Sequence, residues 1–159
     1  MIGAILACDD GWGIGKNGTL PWPHNSADQS WFKRMTKGGV VVMGKNTWDD
    51  PDMPKPLPGR YNIVVTRGEA LGAQCVVSID EVEKLLVEEL DGHDNVWIIG
   101  GARLVNTLMP IIDDLWLSRI VGVYDCDTFL PENTILEKYE LVNIDTETEG
   151  LTIEQWSKL

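Results

Sequence analysis

The sequence predicts an α/β protein: a central, mostly parallel twisted sheet with a C-terminal antiparallel hairpin and helices on both faces. Three observations predict it. Short apolar runs recur along the chain and are nearly continuous rather than alternating, as strands buried on both faces require. Amphipathic segments with one apolar stripe lie between them. Two longer runs close the chain around a polar turn, the pattern of a hairpin. Strands alternating with helices imply parallel order, and ligands of such sheets sit beyond the carboxyl ends of the strands.

The elements follow in order. Ile2–Cys8 is the first apolar run and reads as a buried strand. Residues 40–43 and 61–66 read the same way, with β-branched enrichment. Cys75–Val77, residues 96–99 and residues 115–121 complete the central strands, and residues 139–145 and 151–156 form the hairpin around a turn at 148–150. A helix is predicted over 26–37, with Trp31, Phe32 and Met35 on its inner side. Ser78-Ile79-Asp80-Glu81 has the form of a capping box and opens a second helix, whose stripe is Val82, Leu85, Leu86 and Leu90 and whose stop is Gly92. A third spans 102–109 and is ended by Pro110.

Composition narrows the function. At 159 residues the chain is read as one domain, 1–159, long enough to bury about two-thirds of its unfolded surface. Lys and Arg number 13 against 25 Asp and Glu, a net charge of −12. Such a surface repels phosphate backbones and anionic headgroups, so neither nucleic acid nor membrane is an expected partner. The imbalance is uneven: residues 1–67 hold 8 Lys and Arg and 6 Asp and Glu, while residues 68–159 hold 5 and 19. The N-terminal run lacks a basic segment and is too short for a signal peptide. Cys8, Cys75 and Cys126 form no C-x-x-C pair and read as reduced thiols of a cytoplasmic protein. His24 and His93 have no ligand spacing, so no metal is expected.

Several motifs carry chemistry. Gly13-Ile14-Gly15-Lys16-Asn17-Gly18 matches G-x-G-x-x-G, but Pro21 and Pro23 forbid the helix that a dinucleotide fingerprint needs, so the glycines are read as a mobile loop. In the stretch Ile98-Ile99-Gly100-Gly101-Ala102-Arg103 a strand runs through two glycines straight into a helix, which lets a backbone approach a ligand or simply makes a tight turn. Asp28 stands in a first helical turn with Trp31 and Phe32 three and four positions on. It is either a helix-start acid or a functional acid in an apolar pocket. Lys45 and Arg67 follow strands and could meet an anion or only solvent.

Taken together, the segments Ile14-Gly15, Leu20-Pro21-Trp22, Asp28-x-x-Trp31-Phe32-Lys33, Val42-Met43-Gly44-x-x-Thr47-Trp48, Leu57-Pro58-Gly59-Arg60-x-Asn62, Val65-Thr66-Arg67, Ile98-Ile99-Gly100-Gly101 and Asp127-Thr128 match one family in order and spacing. The chain closely resembles a bacterial or phage dihydrofolate reductase over essentially its whole length. The resemblance implies hydride transfer from NADPH to 7,8-dihydrofolate, giving tetrahydrofolate, by a monomer. It makes Asp28, Trp22 and Ser118 the catalytic group, with Asp28 pairing with the pterin and promoting protonation of its ring nitrogen. Ile5, Leu6 and Ala7 would line the pterin and nicotinamide contact, Ile99 would also meet the substrate, Phe32 and Leu57 would grip the benzoyl ring, and Arg60 would hold the glutamate carboxylate. The cofactor would meet Ala7, Ile14, Gly18, Thr19, Gly44, Lys45, Asn46, Thr47, Val65, Thr66, Arg67 and Thr128. It would also meet Ile99, Gly100, Gly101, Ala102, Arg103, Leu104 and Val105. Lys45, Thr66 and Arg67 match the site of the adenosine 2′-phosphate, and Gly100-Gly101 the family's cis pair. The loop from Asp10 to His24 resembles its mobile lid.

Some positions depart from the family pattern. The stretch Pro23-His24-Asn25-Ser26 is one residue longer than in enterobacterial members, Val105 replaces a tyrosine, Lys45 an arginine, and Asp50-Pro51-Asp52-Met53 lengthens a substrate-side loop. Two rivals share the fold. A pyrimidine reductase of riboflavin synthesis would lack the Asp28/Trp31-Phe32 group and Arg60. A non-catalytic structural protein would not need the acid, the arginine and the cofactor residues.

Overall fold

The computed structural model describes residues 1–90, 92, 95–148 and 151–159. In chain order its strands are β1 (Ile2–Cys8), β2 (Gly13–Gly15), β3 (Val40–Gly44), β4 (Tyr61–Val65), β5 (Cys75–Val77), β6 (Val96–Gly100), β7 (Asp114–Ile120), β8 (Thr128–Phe129), β9 (Tyr139–Thr148) and β10 (Leu151–Lys158). The helices are α1 (Ser26–Thr36), α2 (Lys45–Trp48), α3 (Ile79–Lys84), α4 (Ala102–Leu108) and α5 (Glu132–Lys138). Eight strands make one sheet in the order β5-β4-β3-β6-β1-β7-β10-β9, and β2 pairs with β8 in a second, small sheet. All neighbours from β5 to β7 are parallel, while β10 runs antiparallel to β7 and to β9.

Alternation along the strands divides the core in two. Ala4, Leu6 and Cys8 of β1, Val40 and Val42 of β3, and Ile98 of β6 face one side, where Val82, Leu86, Leu104, Val105 and Leu108 cover them. Ile5, Val41, Met43 and Trp97 face the other, under Trp31 of α1. Burial on both faces is why these strands read as unbroken apolar runs.

Four local readings change. Ser78 stands at the N-cap of α3, but its side chain makes no capping bond; the Glu81 N–H donates to the Ser78 carbonyl instead. This helix then widens into a π-helical stretch, Leu85–Glu89. Pro110 does not end a helix abruptly: α4 stops at Leu108, and Pro110 sits inside a 3₁₀ turn, Met109–Ile111, which tolerates its missing N–H at the start. The glycine-rich loop is not irregular throughout, because Gly13 pairs with Phe129 and Gly15 with Thr128. His93 and the centre of the hairpin turn, Glu149 and Gly150, lie outside the described residues.

The feature that places the site is a break in pairing. On one side β1 pairs with β7 from Gly3 to Cys8. On the other it pairs with β6 only as far as Ala4 opposite Ile98. Beyond that point the register of β6 against β3 also slips, since Val42 faces Ile98 but Met43 faces Gly100. Ile99 is the bulged residue, and a bulge bends its strand away from the regular ladder. The carboxyl ends of β1 and β6 therefore part, opening a gap in the middle of the sheet.

Candidate active site

The gap is the floor of a cleft of about 1010 Å³. Ile5, Leu6 and Ala7 of β1 form one edge and Ile99 and Gly100 of β6 the other. One arm runs toward α1, where Asp28, Phe32, Leu57 and Arg60 line it. The opposite arm runs over Gly44, Lys45, Asn46 and Thr47, then Val65, Thr66 and Arg67, with Gly101, Ala102, Arg103 and Leu104 on its inner wall. Ile14, Gly18, Thr19 and Thr128 also line the cleft.

Asp28 owes its position to Asn25. The Asn25 side chain caps α1 by accepting the Asp28 N–H at 3.0 Å. Burial pushes the Asp28 carboxyl above its ordinary value, and nearby Ser118 offsets part of that rise. Among the described residues, Ser118 Oγ, fully buried on β7, has no partner in hydrogen-bond geometry; Trp116 Nε1, two residues before it on the same face, is in the same condition. The Trp116 ring lies 6.3 Å from that of Trp31. A partly buried carboxyl beside the unpaired Ser118 hydroxyl is a site set for a polar, planar ligand, because such groups are costly to bury without partners.

Arg60 is held for a second polar end. Its Nη1 donates to Thr36 Oγ1 at 3.1 Å and its Nε to the Pro58 carbonyl at 3.0 Å, while the guanidinium lies 5.9 Å from the Phe32 ring centre. Burial lowers the Arg60 pKa from the usual arginine value. The turn beneath it is fixed by Asn62, fully buried, which accepts the Leu57 N–H at 2.9 Å and donates to the carbonyls of Leu57 and Arg60 at 3.1 and 2.9 Å. Asn62→Ala removes all three bonds and leaves the Leu57 N–H and carbonyl buried, so it should cost about 2–4 kcal/mol in urea unfolding.

The opposite arm carries positive charge and bare backbone. Lys45 Nζ meets Asp49 at 2.9 Å, and Arg67 pairs with Asp80. Gly100 and Gly101 are joined by a cis peptide bond, and Gly100 has φ +132°. A Cβ at Gly100 would lie 3.3 Å from Thr47 Oγ1, so the backbone comes close to the cleft only because no side chain stands there.

Three predicted residues lie off the cleft wall. Val105 is fully buried in the core beneath α4. Trp22 is buried and packs edge-on against Tyr124 at 5.9 Å. Ser118 lies behind Asp28 rather than on the surface of the cleft. Conversely, Asn25 and Trp116 were not singled out by the sequence reading. The helix-capping residue type at 25 was the available sign for the first; nothing local marked the second.

Fold and cleft together define an α/β enzyme whose cleft opens at a gap in a parallel sheet, with a partly buried acid at one arm and cations at the other. Comparison with known proteins agrees. The family model described as dihydrofolate reductase matches residues 1–153. The Sus scrofa dihydrofolate reductase is 38% identical over 158 residues, covering 89% of this chain and 84% of that protein. The Bacillus subtilis dihydrofolate reductase is 36% identical over 135 residues, covering 83% and 76%. A solved Enterococcus faecalis dihydrofolate reductase, complexed with NADP(H) and RAB-propyl, superposes with a TM-score of 0.81 at 30% identity over 99% of this chain and 96% of that one. The chain belongs to the dihydrofolate reductase family, the NADPH-dependent oxidoreductases that reduce 7,8-dihydrofolate to 5,6,7,8-tetrahydrofolate. Its relatives include vertebrate as well as bacterial members.

Proposed function

We propose that the cleft performs this family reaction with Asp28 as its central group. The observation that carries the reading is a partly buried carboxyl, Asp28, whose pKa burial raises, on the wall of the cleft that opens where β1 and β6 part. NADPH, when bound, supplies the hydride. Asp28 accepts hydrogen bonds from the amino and ring N–H groups of the pterin, fixing the ring flat against Ile5, Leu6 and Ala7. A carboxyl that resists ionisation favours the protonated ring nitrogen, by direct transfer or through water. Ser118 donates from behind and completes the polar end.

Phe32 and Leu57 grip the benzoyl ring, and Arg60 holds the glutamate carboxylate through its planar fork. The other arm fits the cofactor: Gly44, Gly100 and Gly101 give close backbone approach, and Lys45, Thr66 and Arg67 face the 2′-phosphate. Asn46, Thr47, Val65, Ala102, Arg103 and Leu104 form its walls. Ile14, Gly18, Thr19 and Thr128 cover the nicotinamide and exclude water. Trp22 contributes by packing the lid onto Tyr124, and Val105 supports α4 from the core.

We also read residues 1–159 as a single-domain monomer of the cytoplasm. Both arms of the cleft come from one chain, and the thiols are free, that of Cys8 being pushed by burial up to about 12. Elution from a sizing column at the monomer mass checks the oligomeric part.

Following NADPH oxidation on addition of dihydrofolate, with methotrexate as inhibitor control, tests the reaction. No oxidation would refute it. Arg60→Lys should raise the KM for dihydrofolate by about 10–100-fold, since a point charge cannot replace a bidentate fork, and leave the KM for NADPH unchanged. A matching rise for both would remove Arg60 from the substrate end.

A further inference from the structure

Asp9 is 1% exposed, does not line the cleft and has no role in the chemistry above. It follows the buried Cys8 at the carboxyl end of β1. Its two oxygens serve different segments. Oδ1 accepts the N–H groups of Gly11 and Gly13 at 2.9 and 2.8 Å. Oδ2 accepts the Tyr124 N–H at 3.0 Å and faces the Cys126 thiol at 3.5 Å. Gly11 precedes β2 and Gly13 opens it, while Tyr124 and Cys126 lead into β8, so one carboxylate joins the roots of both strands of the small sheet. That sheet carries Ile14, Gly15 and Thr128 over the cleft.

We propose that Asp9 is a positioning residue, which ties both strands of the lid to the end of β1 and so sets how closely the lid covers the cofactor side of the cleft. The inference rests on the cofactor reading above. Only an acceptor with two oxygens fills this place. An asparagine offers one oxygen, and its amide would direct N–H groups at either the Gly11 and Gly13 donors or the Tyr124 donor. Burial raises the Asp9 pKa, but the Tyr124, Gly13 and Gly11 N–H groups and the Cys126 thiol outweigh it and hold the carboxyl below its ordinary value. The bridging group is therefore the charged form. Around it, Arg119 Nη1 donates to the Asp9 carbonyl at 3.1 Å and stacks 3.9 Å over Trp12, which fixes the backbone of the same corner.

The junction is also tight. A Cβ at Gly13 would lie 2.4 Å from Cys126 Sγ and 3.1 Å from Asp9 Oδ1. Gly13→Ala must therefore wedge the two strand roots apart, and Cys126→Gly in the same chain would make room for it.

The test is Asp9→Asn, measured by single-turnover hydride transfer and by equilibrium binding of each ligand to the folded protein. Because a displacement near 1 Å at a reacting pair costs about a hundredfold, hydride transfer should fall by about tenfold or more, and the NADPH Kd should rise. The dihydrofolate Kd, set at the Asp28 and Arg60 arm, should stay unchanged. Hydride transfer at the parent rate in the folded variant, or equal weakening of both ligands, would overturn the role. Should Asp9→Asn not fold, the pair Gly13→Ala and Gly13→Ala/Cys126→Gly replaces it: loss of rate in the first with recovery in the second supports the junction, and either full rate in the first or no recovery in the second refutes it. Unaltered protein that fails to oxidise NADPH with dihydrofolate would refute the reading of the cleft itself, separately from Asp9.

Discussion

Asp28→Asn should lower kcat/KM for dihydrofolate by about 10²–10⁴-fold at neutral pH, the range for loss of a positioned acid or base, while NADPH binding is retained. Asparagine keeps the volume and part of the hydrogen bonding but cannot favour a proton on the pterin. Steady-state turnover with a parallel NADPH titration measures both quantities, and near-normal turnover would sink the assignment. Stability should move the other way. The folded-state pKa of Asp28 is raised from the ordinary 3.8 by burial. The native state therefore binds the proton more tightly than the unfolded chain does, and the stability this contributes is complete below 3.8 and lost as pH rises through the folded-state value. Asparagine does not titrate. Relative to the parent, the variant should gain melting temperature as pH rises from about 4 toward 7, and the gain should vanish at more acid pH. A gain in stability with a loss of rate is the pattern of a group kept for function in an environment that does not suit its charge.

The second large effect concerns the other arm. Lys45→Ala combined with Arg67→Ala should raise the NADPH Kd by about 10²–10⁴-fold, taking roughly 1.5–3 kcal/mol for each charge-assisted contact, and leave NADH nearly unaffected. Each cation is oriented by an exposed carboxylate, Asp49 for Lys45 and Asp80 for Arg67. Surface pairs of this kind contribute little, so either cation can turn to a phosphate at small cost. Rising salt should weaken NADPH more than NADH in the unaltered protein, because the extra phosphate is read by exposed charges. Equal loss for both cofactors would show that these residues do not read the 2′-phosphate.

Much of the fold was legible in the sequence. Ile2–Cys8 and Cys75–Val77 are strands with the predicted bounds, and the other central strands shift by a residue at one end or both. Strands buried on both faces leave a continuous apolar trace, which needs no tertiary knowledge to read. The small sheet left no such trace. Gly13–Gly15 and Thr128–Phe129 are three and two residues long, too short for any period, and they are held by Asp9, whose partner Tyr124 is 115 residues away. Helix α5 was missed because it buries only Ile135 and leaves Leu136 exposed, so it has no apolar stripe. Within the site, the residues that line the cleft carried recognisable motifs. Depth did not: Ser118, Trp22 and Val105 differ from their neighbours only in where packing puts them.

The sequence by itself determined the class of fold, the positions of Asp28, Arg60, Lys45 and Arg67, and the concentration of cations in the first 67 residues of an acidic chain. These are properties of residue type and local order. The tertiary structure alone decided that β1 and β6 part after Ala4 and Ile98, that Ile99 bulges, and that one buried carboxylate at Asp9 joins two distant segments. Register, bulges and bridging hydrogen bonds depend on which strands become neighbours, and no stretch of chain carries that information until the whole sheet has assembled.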